Sequence, residues 1–294
     1  MKNYLNQIKL SILIGIMVFI GSFVFKANAQ IVQASSVNEI KKYTSQSQYK
    51  GEDTLVLFDI DYVLLTPRDA VLRYAGENNN YRSKHFKAIL KDFQGKEIVL
   101  DKSRMPMAEY LISQVLSSSK VELVSQDMPS FVNRLNAQKT TVVGLTSNSS
   151  GKYGIVQNEA ELHLSRLKSL GYNFKDNGNL LKGDFPQYVS PVIFTNKTDK
   201  GKMLLGFLKQ LSKSYKNIIF IDDRLKNLIS VQNALKDRQI NYIGINYTEL
   251  KNKNELLNQD IADKQFQLLS QEHIWLSDEE TQARLNAKSN QEAK

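Results

Sequence analysis

The sequence contains no cysteine. Disulfides and thiolate metal sites are therefore excluded, and an oxidising compartment poses no hazard to folding. Stability has to come from an apolar core. Histidine is scarce too: His85, His163 and His273 stand in no metal-ligand spacing such as HExxH. They read as surface or core-edge residues, with His85 the one retained as a substrate contact. There is no basic run of five or more, no Arg-Gly-Gly tract and no zinc-finger spacing, so nothing favours nucleic acid. Internal repeats and low-complexity segments are also missing. The single tryptophan, Trp275 in "HIWLSDEE", reads as an anchor that packs the C-terminal segment onto the core.

What is present begins with a targeting signal. Lys2 and Lys9 precede an apolar run over residues 10–25 that ends in Ala27-Asn28-Ala29. This predicts a secretory signal peptide over 1–29, cut after Ala29. The run is long for a cleaved signal and short for a spanning helix, so an uncleaved N-terminal anchor is the other reading. Either way the body of the protein is expected outside the cytoplasm, periplasmic or secreted, with no stable membrane insertion once the signal is cut. The net charge is +9, and Lys2, Lys9 and Lys26 account for three of those charges. The mild basic excess that is left attracts anions and equally suits a soluble surface.

Five segments rich in β-branched and apolar residues recur: "TLVLFDI" (54–60), "TTVVGLT" (140–146), "SPVIFTN" (190–196), "NIIFIDD" (217–223) and "NYIGINY" (241–247). They are continuous runs rather than alternating ones, as in strands buried on both faces of a parallel sheet. Amphipathic patterns separate them. "SVNEIKKYTSQSQ" opens with a capping-box arrangement at Ser36 and Glu39, and "NEAELHLSRLKSLGY" ends at a glycine stop. "GKMLLGFLKQLSKSY" and "RLKNLISVQNAL" repeat the helical period. The alternation predicts an α/β three-layer sandwich with a parallel sheet, and ligands at the carboxyl ends of the strands. The core is expected over 30–65 and 140–280. Residues 66–139 are too long for a crossover and read as an inserted helical cap, with "SKHFKAILKDF" and "MPMAEYLISQVL" its clearest helices. Residues 281–294 read as a polar tail prone to fray.

The first strand runs into Asp59 and Asp61, and the fourth into Asp222, Asp223 and Asn227. If those strands are neighbours, several carboxylates converge at one sheet edge. They cannot all stay ionised without a cation to neutralise them. Hard oxygen ligands point to Mg²⁺. Thr146 ends another strand with a hydroxyl, Ser147 and Asn148 add donors as substrate-binding candidates, and Lys200 in "NKTDKGKMLL" puts a positive charge near a helix start. A cation, a lysine, a hydroxyl and backbone amides are the parts that phosphoryl transfer requires.

In order and spacing, "DIDYVL", the apolar strand ending in Thr146, the Lys200-Gly201 helix start and "IDDRLKNL" resemble the four motifs of the haloacid dehalogenase superfamily. The chain is also similar to a group of secreted bacterial proteins of that type, which share "LFDIDYVLL" and a tail like "HIWLSDEE". The resemblance implies that Asp59 attacks phosphorus and that Asp61 protonates the leaving oxygen and later activates water. It implies that Thr146 binds a phosphoryl oxygen and that Lys200, preferred to Lys197 and Lys202 because Gly201 and Leu204 follow it, holds nucleophile and phosphate together. Mg²⁺ would sit on Asp59, Asp223 and the backbone carbonyl of Asp61, with Asp222 a ligand or a support. Asn227 departs from the Asp of many relatives. Asp61 favours phosphoester hydrolysis over dehalogenation, so the expected activity is a Mg²⁺-dependent phosphatase acting on a small phosphorylated substrate. Two rivals stand beside it: a non-catalytic binding protein or secreted effector on the same fold, and a phosphonatase or phosphotransferase. A phosphonatase would need a lysine aimed at the site from among Lys84, Lys87, Lys91 and Lys96.

Overall fold

A computed structural model describes residues 28–73, 76–100, 103–175, 180–252 and 257–292. The signal-peptide reading concerns residues 1–29 and so lies almost wholly outside the described residues. Among these, no helix is long and apolar enough to cross a membrane. Ala29, at the expected cleavage point, opens a strand.

In chain order the elements are β1 (Ala29–Ala34), α1 (Val37–Thr44), β2 (Thr54–Phe58), β3 (Leu65–Pro67), α2 (Gly76–Asp92), β4 (Glu97–Leu100), β5 (Ser103–Pro106), α3 (Met107–Ser118), β6 (Val121–Leu123) and α4 (Met128–Ala137). There follow β7 (Thr141–Thr146), α5 (Glu159–Ser169), β8 (Tyr188–Val189), β9 (Val192–Phe194), α6 (Lys200–Gln210), β10 (Asn217–Asp222), α7 (Leu225–Leu235), β11 (Asn241–Tyr247), α8 (Gln259–Gln271) and α9 (Asp278–Glu292).

The central sheet has the order β1-β11-β10-β2-β7-β9-β8. Its pairings are parallel except that of β8 with β9. The five apolar runs are its five inner strands, and β2, β7 and β10 are buried along their whole length. Alternate side chains serve opposite faces. Val56 and Phe58 pack with Ile40 of α1, Phe131 of α4 and Leu167 of α5, whereas Leu55 and Leu57 pack with Leu204 and Phe207 of α6 and Leu228 and Val231 of α7. The fold is therefore α/β, a mostly parallel sheet with helices on both faces. Burial on two sides is what removes polar residues from these strands.

The interval 66–139, which its sequence suggests is a largely helical insertion, contains strands as well. It holds α2 and α3, but also the hairpin β4–β5 and the antiparallel pair β3–β6. Its last helix, α4, packs under the sheet through Met128, Phe131, Val132 and Leu135. A third apolar cluster joins Ile89 of α2 and Leu111 of α3 to Phe266 and Leu269 of α8 and to Trp275. Trp275 thus anchors the C-terminal segment to α2 and α3 rather than to the sheet. Its Nε1 donates to Asp69 Oδ2 at 2.8 Å, while Asp69 Oδ1 accepts from the amide of Asp278. The 281–294 tail is likewise ordered as helix through Glu292, with Thr281 fully buried and Arg284 paired to Glu272.

Trp275→Ala removes both a buried ring and the donor to a buried carboxylate. The expected loss is about 3–5 kcal/mol in urea unfolding, with the far-UV signal of the sheet retained in native buffer.

Candidate active site

The strand register sets the site. Phe58 of β2 lies level with Ile221 of β10 on one side and Gly144 of β7 on the other. One residue further, Asp59 N donates to Ile221 O at 2.9 Å, so Asp59 and Asp222 emerge side by side at the carboxyl edge. Thr146, the last residue of β7, emerges at the same edge.

Lys200 fills the space between the two acids. Its Nζ lies 2.8 Å from Asp59 Oδ1 and 2.8 Å from Asp222 Oδ2, and the residue is 2 % exposed. It opens α6, which Asp199 caps by accepting from Lys202 N. Asp199 also accepts from Ser230 Oγ, and Ser230 Oγ accepts from Gly201 N. A Cβ at position 201 would stand 2.4 Å from Ser230 O, so only glycine lets α6 approach α7 this closely and seat Lys200. Lys197 and Lys202 take no such position. Lys197 reaches the cavity rim over the Tyr153 ring, and Lys202 is exposed.

Asp222 is saturated by protein donors. Besides Lys200 it accepts from Arg224 N at 2.8 Å and from Asn227 Nδ2 at 3.0 Å to each oxygen. Asn227, the departure from the expected aspartate, is thereby a donor to the acid cluster. Asp223 is the opposite case. Both its carboxylate oxygens are buried and, among the described residues, have no hydrogen-bond partner, although its backbone carbonyl accepts from Lys251 Nζ.

Asp59, Asp222 and Asp223 each offer an oxygen within 4.8 Å of the others, a group that could hold a metal ion. Burial drives the Asp59 carboxyl well above the usual aspartate range, against the pull of Lys200 and with a push from Asp222 and Asp223. Burial first and Asp222 second raise Asp223 from 3.8 to about 6. Burial works to lower Lys200, but Asp59 and Asp222 outweigh it and the ammonium is held charged. Arg224, Lys251 and Lys200 pull against the rise at Asp223 without meeting its carboxylate oxygens, and among the described residues those oxygens are what an added cation would meet. An all-oxygen donor set fits a hard divalent ion.

Asp61 stands apart from this group. Its Oδ2 accepts from Asn148 Nδ2 at 2.7 Å, and that same nitrogen lies 2.9 Å from His163 Nε2. His163 is 1 % exposed and 3.8 Å from Glu159. Sequence reasoning did not single out His163. Its only signal was a place on the buried face of α5, three residues after Ala160, which a packing residue shares. Thr146 Oγ1 accepts from Asn148 N at 3.3 Å, and Ser147 lies exposed at the rim. Between Asp61 and the insertion, Tyr62 adopts φ 65, held by Tyr62 N to Leu65 O at 2.7 Å and by its hydroxyl to Leu72 O at 3.0 Å. A left-handed non-glycine residue is uncommon and here turns the chain directly after the acid.

These groups line one cavity of about 560 Å³, a size suited to a small ligand. Asp59, Asp61, Asp223, Thr146 and Asn148 form its floor together with His163 and Asn227, with Ser147 at the rim, and Arg82, Arg166 and Arg224 add positive charge to the wall. Lys84, Lys87, Lys91 and Lys96 are exposed and none lines it. Neither does His85, which stacks between Tyr81 and Phe266.

Residues 33–282 match the family described as "Protein of unknown function (DUF2608)". An uncharacterised protein of Rickettsia prowazekii is 25% identical over 292 residues, covering 96% of this chain and 98% of that one. Uncharacterised proteins of Rickettsia conorii and Rickettsia felis are 22% and 24% identical, each over 80% of this chain and 82% and 81% of their own. No solved structure matches the chain.

A folded-state pKa raised to about 6 at Asp223 means that the folded protein binds the proton more tightly than the unfolded chain. The stability it carries is present below pH 4 and lost as pH climbs to about 6. In chelator, urea unfolding of the wild type should therefore lose about 3 kcal/mol from this group across that window. Asp223→Asn should remove that part of the slope.

Proposed function

We propose that this chain, which belongs to the DUF2608 family of proteins of unknown function, is an exported Mg²⁺-dependent phosphatase of the haloacid dehalogenase type that hydrolyses small phosphomonoesters. The observation that carries the reading is the buried trio Asp59, Asp222 and Asp223, in which Lys200 joins the first two and, among the described residues, both oxygens of Asp223 are without a partner. A solvated structural ion-pair network would leave no such pair of orphaned acceptors.

In this reading Asp59 and Asp223 hold Mg²⁺, with the backbone carbonyl of Asp61. The ion supplies neutralising charge for the phosphoryl oxygens. Asp59 attacks phosphorus through a carboxylate oxygen while the bond from phosphorus to the ester oxygen breaks. Asp61 gives its proton to that departing oxygen, and the alcohol leaves. A water then attacks the aspartyl-phosphate, loses a proton to Asp61, and releases inorganic phosphate with Asp59 restored. Lys200 fixes the orientation of Asp59 and offsets charge on the phosphate. Thr146 and Ser147 supply donors to the phosphoryl oxygens, and Asn148 orients the Asp61 carboxyl through the 2.7 Å bond. Asp222 acts as support, because Lys200, Asn227 and Arg224 N already occupy its oxygens. Residues of 66–123 would form the cap over this floor, shielding the aspartyl-phosphate from stray water.

The protein from residue 30 onward should release phosphate from an aryl phosphate with Mg²⁺ and stop when the ion is chelated. Asp59→Asn should lower kcat by at least about a thousand-fold. Activity absent from every ester, or unchanged by that substitution, would transfer the fold to a non-catalytic binding role.

A further inference from the structure

The roof of the cavity differs in kind from its floor. Helices α2 and α3 each carry two apolar stripes. One stripe, with Ile89 on α2 and Leu111 on α3, is buried against Phe266 and Leu269 of α8. The other consists of Leu90 on α2 and of Ile112 and Leu116 on α3, which face the cavity, while Phe86 of α2 lines the cavity and also packs edge-on against Phe266. Among the described residues, Leu90, Ile112 and Leu116 join none of the three apolar clusters and remain partly exposed. Leu72 and Val115 extend the same surface.

Two of the arginines of that wall are tied to the chain through one nitrogen each. Arg82 Nη1 donates to Tyr62 Oη at 2.9 Å and to Leu72 O at 2.7 Å, and Arg166 Nη2 donates to Leu116 O and Ser119 O at the end of α3. Among the described residues, no carboxylate or carboxamide lines the cavity above the floor. A site built for a sugar would set such groups against its hydroxyls, and the stretch of wall made by Leu90, Ile112 and Leu116 offers those hydroxyls no partner.

We infer that the leaving group this site accepts is an apolar alcohol, alkyl or aryl, carried as its phosphomonoester, and not a sugar or glycerol. The phosphate would lie on the acidic floor beside Lys200 and the cation, with the hydrocarbon between Phe86, Leu90, Ile112 and Leu116. The inference rests on the phosphatase reading for the position of the phosphate and on the apolar stripes for the remainder.

The test compares phosphate release from ethyl, butyl and hexyl phosphate with release from glycerol 3-phosphate and glucose 6-phosphate, all with Mg²⁺. The expected result is a rise in kcat/KM of up to about four-fold per added methylene, levelling as the cavity fills, and weaker turnover of both polar esters. Ile112→Asn and Leu116→Asn, checked for folding by circular dichroism, should flatten the rise. A flat series, or preference for either polar ester, overturns the inference. Should no ester be hydrolysed, the phosphatase reading falls and calorimetry with hexylphosphonate and methylphosphonate decides the rest. Binding at least about ten-fold tighter for the hexyl compound upholds recognition of an apolar group, and equal binding removes it.

Discussion

The structure turns on a shortage of positive charge at the edge of the sheet. Three carboxyls converge there because β10 and β2 pair in parallel with Ile221 level with Phe58, and that register admits no other outcome for Asp59 and Asp222. Lys200 lies between two of them, at 2.8 Å from each. An isolated buried carboxylate is costly, and every available donor is turned inward to offset it: Ile60 N to Asp59, Arg224 N and Asn227 to Asp222. Asp223 receives none on its side chain among the described residues. The three acids thus form a group that could hold a metal ion.

The same economy explains why the distant C-terminus matters to the cavity. Asp69 is 1 % exposed and bonded to Trp275 and to the amide of Asp278, more than two hundred positions along the chain. Helix α8 supplies the apolar partner that α2 and α3 need on their outer side. Without it, those helices would carry apolar residues on two faces and have only the cavity to bury them in. The elements above the acids are thus held from outside, which leaves their inner stripes free to meet a ligand.

Much of this was legible because burial constrains sequence most strongly at the centre. The five inner strands announced themselves as unbroken apolar runs, and the acids that ended two of them were conspicuous for the same reason: polar residues have no place there unless something balances them. Edges carry less constraint. β1 holds only Ile31 and Val32 between polar neighbours and pairs on one side, so it lacks the long apolar run that marks the inner strands. The hairpin β4–β5 is largely exposed, which leaves its residues free to vary. His163 was hidden by a helical position that suits packing equally well. The polar surface of α9 resembled a fraying tail, because the contacts that order it, Thr281 and the Arg284–Glu272 pair, come from tertiary structure.

The division between a charged floor and an apolar roof has a consequence for the proposed chemistry. An ester whose hydrocarbon fills the upper cavity would displace water that otherwise screens Asp59, Lys200 and the cation, and those charges act more strongly in a drier site. A polar leaving group would bring its own hydration and forgo that gain. In the proposed reading, then, selectivity and rate share one source. The contacts that choose the hydrocarbon are remote from phosphorus, yet they set the dielectric in which the phosphoryl group moves, so binding energy at the roof is expressed at the floor.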